Sequence, residues 1–400
     1  VRPLACVGWT EVGRGGRDCR TTQSLRAAVT GGRGARVSGE SGVDDVARTR
    51  GVFVVSGKAL ARNQAALTDL IEETFATARF DEHRRLRELV AEERLRQEQS
   101  VTSNGHLLAM TAAAASMSPG ALLAHRWQGL EGLRSLKALD DSLDEKRTLV
   151  EIATRLERLR DRLLQAPRQA LLIGEAEYRD GLREALAQRW GQRPTPTAGA
   201  PFIPPAAEGR VQQAWSTNTQ VHFCARAYRA VPSSHPDAPA LMVLGGFLRN
   251  GYLHRAIREQ GGAYGGGANF DPDSGAFRFF SYRDPRLTET LADFDRALQW
   301  LLEEDHERHT VEEAILGVIS AIDKPASPAG EARKAFHGTL HGRTPEHRRR
   351  VRARVLEVRQ EDLKRVVETY LRPELAHTAV ITDASTLEKH PDLGLTPIRL

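Results

Sequence analysis

The sequence predicts an α+β protein in which helices and antiparallel strands recur in two blocks. Apolar residues at helical spacing, such as Leu241, Leu244 and Leu248, indicate amphipathic or buried helices. Short apolar or alternating runs between the helices, such as residues 52–57 and 277–280, indicate strands. A proline-rich stretch at residues 194–205 separates the blocks. We therefore expect two domains, each with helices packed on one face of an antiparallel sheet.

Composition narrows the classes of function. A chain of 400 residues with 40% hydrophobic content can form two or three cored domains. The net charge of +5 arises mostly in residues 1–50, which hold nine arginines and five acidic residues. No basic face with interleaved aromatic residues is evident, so a nucleic-acid-binding protein is not predicted. Three widely spaced cysteines suit a reducing compartment, and no apolar run reaches 18 residues.

Residues 1–29 are predicted to be a disordered or foreign leader. They are rich in Gly, Arg, Ser and Thr, and the chain begins at Val1 instead of Met. The segment lacks the apolar core of a signal peptide and contains too many acidic residues for a transit peptide. Folded structure is expected from residue 30 onward.

The first block, residues 30–193, reads mainly as helical. We expect a buried strand at 52–57, a helix at 58–78, and a long charged helix to about residue 100 that Asp81 caps. Small residues at 112–115 would allow close helix packing or leave room in a cavity wall, and His106 is interpreted as a helix-start or packing residue. Ser118 and Pro119 begin a helix that reaches about residue 130. Further elements are expected as helices at 143–164 and 178–190 and a strand at 170–174.

The second block, residues 206–400, alternates strands with helices. A strand at 220–228 precedes a helix that runs from Leu241 through Ile257. A hairpin joins residues 263–269 to 276–281 through a turn that contains Pro272 and Gly275. The remaining elements are expected as helices at 286–302, 311–322 and 351–370, loops at 325–330 and 337–344, and a strand at 377–382.

The main candidate site is the segment from Tyr252 to Phe270. Gly261 and Gly262 end the preceding helix just after Arg258, and Tyr264 follows before three more glycines. A guanidinium and a phenol are both hydrogen-bond donors, which an oxyanion on a scissile carbonyl requires. The spacing alone favours a structural role, with Arg258 as a C-terminal helix cation and Tyr264 as a half-buried strand residue. The glycines do not form a nucleotide-binding P-loop, because they follow a helix and no G-x-x-x-x-G-K-[ST] is present.

LRNGYLHRAIREQGGAYGGGANF at 248–270, with FFSYRDPRL at 279–287, resembles the fourth domain of presequence-protease-type enzymes. These are zinc peptidases of the pitrilysin and insulysin superfamily, in subfamily C of the M16 peptidases, and the resemblance covers roughly residues 52–385. It implies two homologous roll domains of a four-domain clam-shell. Residues 30–193 would be a third-domain-like region with a long helical hairpin, and residues 206–400 a fourth-domain-like region.

The resemblance also implies functional residues. Arg258 and Tyr264 correspond to the arginine and tyrosine that reach the substrate across a closed chamber. Tyr264 and Arg258 are therefore expected to be catalytic, and Arg258, Gly262 and Tyr264 to bind substrate. Unstructured peptides would be the substrates.

The zinc-binding motif of these peptidases, H-x-x-E-H, is absent from this sequence, and no metal ligand is predicted in the chain. His306 and His309 have the wrong spacing, and no Glu lies between His337 and His341, which are expected in a loop. Zinc is expected in a missing N-terminal half, in cis or in trans. The compartment would be the cytoplasm in a bacterium or an organelle matrix.

Three hypotheses remain open. The chain is the catalytically incomplete C-terminal half of a zinc oligopeptidase, or a natural non-catalytic subunit that supplies Arg and Tyr to a zinc-bearing partner. The third is an interaction protein that kept the fold without the chemistry. The intact Arg258 and Tyr264 weigh against the third hypothesis.

Overall fold

The computed structural model describes residues 8–190 and 203–400. The first of these parts contains one two-stranded antiparallel sheet and a set of helices. Its strands are β1 (Gly32–Ser41) and β2 (Thr49–Lys58), which pair along their whole length. Its helices are α1 (Cys19–Val29), α2 (Gln64–Ala76), α3 (His83–Ala113), α4 (Pro119–Gln128), α5 (Leu130–Ser142), α6 (Lys146–Gln165) and α7 (Arg179–Trp190).

The second part is built on a six-stranded mixed sheet with the order β5-β6-β4-β7-β3-β8. Its strands are β3 (Gln212–Ser216), β4 (Phe223–Arg229), β5 (Gly265–Asp271), β6 (Ala276–Tyr282), β7 (His377–Thr382) and β8 (Thr396–Arg399). β3 runs parallel to β7 and β8, and the other pairs are antiparallel. The helices are α8 (Ala238–Leu248), α9 (Thr288–Glu303), α10 (Arg308–Asp323), α11 (Pro328–Leu340), α12 (Pro345–Leu356), α13 (Gln360–Tyr370) and α14 (Ala384–Lys389).

The alternation of residues along the strands divides the core between two faces of this sheet. Cys224 and Tyr228 of β4 point to one face, where they pack with α8, α9, α10 and α13. Phe223, Ala225 and Ala227 point to the other face, because successive strand residues alternate. Helix α3 of the first part covers that second face with Val101, Ala109, Met110, Ala112 and Ala113, and its C-cap residue Ala114 adds to the same cluster.

The α+β class is confirmed. The arrangement of the helices on the two faces of the large sheet was not predicted from the sequence. Helices from the second part cover one face of the large sheet, as expected, and a helix from the first part covers the other. The two sheets also differ in size, with two and six strands. The domain boundary at 194–205 stays a prediction, because residues 191–202 lie outside the described ranges.

The leader prediction is wrong for residues 8–29. Trp9 and Val12 are fully buried against Phe80, Leu86 and Leu89. Asp18 accepts a hydrogen bond from the Thr21 N–H (2.8 Å) and caps α1. Long-range burial of Trp9 stabilises this segment, which its composition did not reveal.

Several local predictions are also wrong. Residues 170–174 form no strand and are exposed, and the strand at 52–57 is half-buried instead of buried. Asp81 does not cap α3, since it pairs with Arg79 (2.8 Å). Helix α11 includes residues 328–330 and 337–340, which were expected in loops, and α12 and α13 replace one predicted helix. Ser118 does cap α4, by accepting the Ala121 N–H (3.2 Å).

Candidate functional site

Helix α8 continues beyond Leu248 in π-helical form over Arg249–Gln260, and Arg258 lies in its last turn. Such i→i+5 turns are rare and occur frequently at functional sites. The chain then leaves the helix through Gly262, which has a left-handed φ of 78°. The Gly262 N–H donates to the Arg258 carbonyl (3.1 Å), and the Ala263 N–H donates to the Ile257 carbonyl (3.1 Å). The turn predicted from the glycines is therefore present, with Arg258 and Tyr264 on either side of it.

The glycines of this segment allow the helix and β5 to lie directly against each other. A Cβ on Gly266 would be 2.8 Å from the Ile257 side chain, and one on Gly245 would be 2.9 Å from the Ala268 carbonyl. A Cβ on Gly261 would collide with the Arg286 guanidinium. These positions have no space for a side chain, which is a packing reason for glycine that adds to its backbone freedom.

Arg258 and Tyr264 both face solvent. Tyr264 is 68% exposed, and its ring packs edge-on against Tyr282 (5.5 Å between centroids). No described residue forms a hydrogen bond or ion pair with the Arg258 guanidinium or the Tyr264 hydroxyl. The structural alternative for Tyr264, a half-buried strand residue, does not match this exposure. Both polar groups are available to a ligand.

The segment after β6 supports the backbone that carries Arg258 and Tyr264. No individual role was predicted for its residues from the sequence. Arg286 donates to the Ala256 carbonyl near the end of the π-helical segment (3.1 Å) and pairs with the buried Asp293 (3.0 Å). The Tyr264 N–H donates to the Arg283 carbonyl (3.3 Å). These contacts fix both ends of the glycine turn to one loop.

Asp284 anchors that loop in the core. Its backbone N–H and carbonyl both pair with His222 (2.9 and 2.7 Å), and its carboxylate accepts from Thr290 (2.8 Å) and from the Arg286 N–H (2.9 Å). Burial raises the pKa of Asp284 above its ordinary value, and the hydrogen bonds from Arg286 and Thr290 act in the opposite direction. An Asp-Pro dipeptide directly after a strand was the sequence signal that could have identified this anchor.

His106 reaches the same cluster from helix α3. Its ring contacts Tyr282 (4.7 Å) and Phe280 (5.6 Å), so the packing role predicted for it is confirmed, whereas the alternative of a helix start is wrong because His106 lies within α3. Burial lowers its pKa. Helix α3 thereby supports Tyr264 indirectly, through Tyr282.

His337 and His341 contact different residues and do not face a common site. His337 lies on helix α11 instead of in a loop, with Nε2 2.8 Å from Arg36, whereas His341 is buried 3.6 Å from Glu40. Within residues 8–190 and 203–400, no group of three or more His, Cys, Asp or Glu side chains could hold a metal ion. The residues of these two ranges therefore do not fit a catalytic zinc centre.

The chain matches known families in two places. Residues 2–139 match the family described as associated with subfamily C of the M16 peptidases, and residues 213–381 match the "PreP C-terminal domain" family. Among curated relatives, the mitochondrial presequence proteases of Danio rerio and Xenopus laevis are 29% and 28% identical. Each alignment covers 92% of this chain and 38% of the relative, so the chain spans less than two fifths of their length.

Solved structures share the fold. A conserved protein from Enterococcus faecalis superposes with a TM-score of 0.67 at 13% identity, covering 96% of this chain and 89% of that one. A peptidase M16 inactive domain from Pseudomonas fluorescens superposes with a TM-score of 0.61 at 14% identity, covering 95% and 87%. In the parts of the chain that the structure describes, no helix is both long and apolar enough to cross a membrane.

Proposed function

We propose, from the premise that this chain belongs to the M16 peptidase family and matches the C-terminal part of presequence proteases, that it is the substrate-gripping half of a metallo-oligopeptidase. It would bind unstructured peptides in a closed chamber together with an N-terminal, zinc-bearing half. That half would be supplied in cis or in trans. Arg258 and Tyr264 would contact the peptide at the reacting bond.

The proposal rests on one observation: two exposed donors, without a protein partner among the described residues, lie on backbone that neighbouring residues anchor by hydrogen bonds. Arg286 holds the end of the helix that bears Arg258, and Arg283 holds the backbone of Tyr264. An exposed Tyr side chain is otherwise free to rotate, but the Tyr282 ring restricts this one. A site of this kind is organised before its ligand binds, which lowers the entropy lost on binding.

The chemistry of the pair suits a peptide carbonyl. The Tyr264 hydroxyl would donate to the oxygen that becomes negatively charged as the scissile carbonyl is attacked. The Arg258 guanidinium would donate to a neighbouring carbonyl and fix the register of the peptide. Gly262, whose N–H is already used within the turn, would bind substrate by leaving room for its backbone. Removing one oxyanion donor typically costs about 2.7–4 kcal/mol in the transition state.

We propose that the hydrolytic group belongs to the zinc-bearing N-terminal half, since the described residues do not fit a zinc site. We therefore expect no peptide cleavage by the purified chain alone. Chelator-sensitive hydrolysis by this chain in isolation would contradict the proposal.

Two other functions stay under consideration. The chain would be a natural non-catalytic subunit of a two-chain peptidase if the zinc-bearing half is a separate gene product. It would be an interaction protein if the chain has kept the fold but takes no part in catalysis. The exposed, scaffolded Arg258 and Tyr264 favour a peptidase role over the interaction protein.

We propose a compartment with reducing conditions, either an organelle matrix or the bacterial cytoplasm. The curated relatives are mitochondrial by name. Cys224 is buried and free, and burial raises the pKa of its thiol, so it is a packing residue.

The proposal is tested by reconstitution with a zinc-bearing N-terminal half and an unstructured peptide substrate. Tyr264→Phe should lower kcat roughly a hundredfold or more with little change in KM, because the hydroxyl acts mainly in the transition state. Arg258→Ala should change both parameters, since a positioning contact already exists in the ground state. Tyr178→Phe, which alters an exposed tyrosine preceding α7, is the matched control and should have no effect. Wild-type kcat in Tyr264→Phe would show that the residue is structural.

A further inference from the structure

Arg283 has an unusual backbone conformation beside the candidate site. Its φ is 48°, and no other non-glycine residue in the described ranges has a positive φ. Residues with a Cβ avoid this region because the Cβ approaches the following carbonyl oxygen. Strain of this kind persists where the surroundings enforce it, and it is concentrated at functional sites.

The surroundings of Arg283 enforce the strain from both sides. Tyr282 ends β6 and is packed against His106 and Phe223. Asp284 is fully buried and joined to His222 by two backbone hydrogen bonds. Arg283 is the single residue between these two anchored positions, so the chain has little freedom to adopt a relaxed φ there.

The left-handed conformation places two groups of Arg283 at the site. Its carbonyl accepts the Tyr264 N–H (3.3 Å), and its guanidinium carbon lies 5.5 Å from the Tyr282 ring centroid. The Tyr264 ring also packs against Tyr282, edge-on at 5.5 Å. Arg283 and Tyr264 are therefore neighbours on one aromatic support.

The guanidinium of Arg283 has no carboxylate partner among the described residues. The adjacent Asp284 carboxylate is buried and accepts from Thr290 and Arg286. Many other arginines of this chain are paired, for example Arg286 with Asp293 and Arg352 with Asp323. An exposed, stacked and unpaired guanidinium beside Tyr264 is suited to a planar anion from a ligand.

We propose that Arg283 is a specificity residue that binds a carboxylate of the peptide held by Arg258 and Tyr264. The carboxylate would be an acidic side chain or the C-terminal carboxylate of the substrate. This inference rests on the proposed function, because it takes the peptide to occupy that site. It predicts a preference for substrates with a carboxylate close to the bond that Tyr264 contacts.

The test measures binding of fluorescein-labelled, unstructured 12-residue peptides to the full chain by fluorescence anisotropy. One peptide has a Glu at its centre and a matched one has Gln, and each is made with a free and an amidated C-terminus. At low salt, the unaltered chain should bind the peptide that carries the recognised carboxylate roughly fivefold more tightly than the Gln peptide with an amidated C-terminus. The comparison of Glu with Gln tests the side-chain carboxylate, and the comparison of free with amidated C-terminus tests the C-terminal one.

Arg283→Asn is the informative variant, because Asn tolerates a left-handed backbone and has no charge. It should bind all four peptides with the affinity of the neutral one. Arg283→Lys should retain part of the preference, since Lys supplies a charge without the planar fork. Arg155→Asn, an equal charge change on an exposed position of α6, should leave the preference intact.

The outcomes separate this inference from the function on which it rests. A carboxylate preference that is absent from the unaltered chain, or that persists in Arg283→Asn, overturns the inference alone. If Arg258→Ala and Tyr264→Ala leave binding of the neutral peptide unchanged, the proposed function fails. Unchanged circular dichroism in Arg283→Asn excludes loss of the fold as the cause of a lost preference.

Discussion

At Gly105, helix α3 approaches β4 so closely that a Cβ there would lie 2.6 Å from the Phe223 ring. At Gly261 and Gly262, the same residue type turns the chain away from a helix and presents exposed polar side chains. The first junction joins the two parts of the molecule and is buried. The second carries the candidate site, where no described residue satisfies the Arg258 guanidinium or the Tyr264 hydroxyl.

The two junctions differ in what their side chains contribute to: the free energy of unfolding at the first, and the interaction with a ligand at the second. The α3–sheet junction removes large apolar groups such as Phe223 and Trp215 from water, so substitutions there should alter stability. The turn at Gly262 contributes little burial beyond its scaffold, so substitutions of its exposed side chains should alter ligand binding or catalysis and leave stability nearly unchanged. Substitutions at each junction can separate these two expectations.

The largest effect is expected for Phe223→Ala. The Phe223 side chain is fully buried between α3 and the sheet, and truncating such a residue typically costs about 3–5 kcal/mol in the free energy of unfolding. Urea unfolding measures the loss. Phe336→Ala on α11, a helix without buried residues, is the control and should lose much less. Equal losses would mean that α3 does not dock on the sheet as described.

The next effect is the dependence of stability on pH through His125. This histidine of α4 is buried against Trp215 (5.8 Å between ring centroids), and burial lowers its pKa from 6.5 to about 4. Between pH 6.5 and 4 the unfolded chain binds a proton at His125 that the folded chain does not bind. Stability is therefore complete above pH 6.5 and falls as the pH decreases through this window, by about 2–3 kcal/mol from this residue.

His125→Gln provides the comparison for that prediction. The variant has no proton to bind at this position, so the slope of the unfolding free energy against pH between 6.5 and 4 should become smaller. Other histidines, including the half-buried His377 and the buried His222, also have lowered pKa values and should leave a residual slope of the same sign. An identical slope in the variant and the parent would contradict the assignment to His125.

A smaller effect is expected for Gly105→Ala. Alanine stabilises a regular helix interior by about 1 kcal/mol relative to glycine, and Gly105 directly follows Asn104, whose non-helical backbone (φ −127°, ψ 22°) kinks α3. Here the added Cβ must displace the Phe223 ring, and overpacking of this kind costs about 1–3 kcal/mol, so a net loss of about 1 kcal/mol is expected. Gly317→Ala on α10 has open space around its Cβ and should show the opposite sign. A gain at both positions would show that the α3 junction is loose.

The features that the sequence predicted well depend on local signals. Gly262 predicts the end of a helix, and the Pro272–Gly275 turn predicts a hairpin, because backbone conformations at these residues are restricted. The pair of donors at Arg258 and Tyr264 follows from that turn and is found on either side of it.

The features that the sequence did not predict depend on distant partners. Strand β3 pairs in parallel with β7 and β8, more than 150 residues away, and no local pattern encodes such pairing. The order of residues 8–29 results from burial of Trp9 against Phe80 and Leu89. The apolar run at 170–174 has strand character, but it has no neighbouring strand to pair with among the described residues and remains exposed.

The residues that support the candidate site could not be predicted either, because they also act through distant partners. Arg286 and Asp284 act through contacts to Ala256 and His222, which lie on other elements. Their spacing in the sequence shows only a polar turn after a strand. The position of Arg283 in the left-handed region could not be predicted, because arginine has no local preference for it.

The smallest effect on stability is expected for Tyr264→Phe. The side chain is 68% exposed and its ring contact with Tyr282 survives the substitution, so only a solvated hydroxyl is lost. Surface substitutions of this kind usually change the free energy of unfolding by less than about 0.5 kcal/mol. Urea unfolding of Tyr264→Phe should therefore superimpose on that of the parent, while catalysis by the reconstituted enzyme falls. A loss of stability comparable with that of Gly105→Ala would place Tyr264 among the structural residues and remove the contrast between the two junctions.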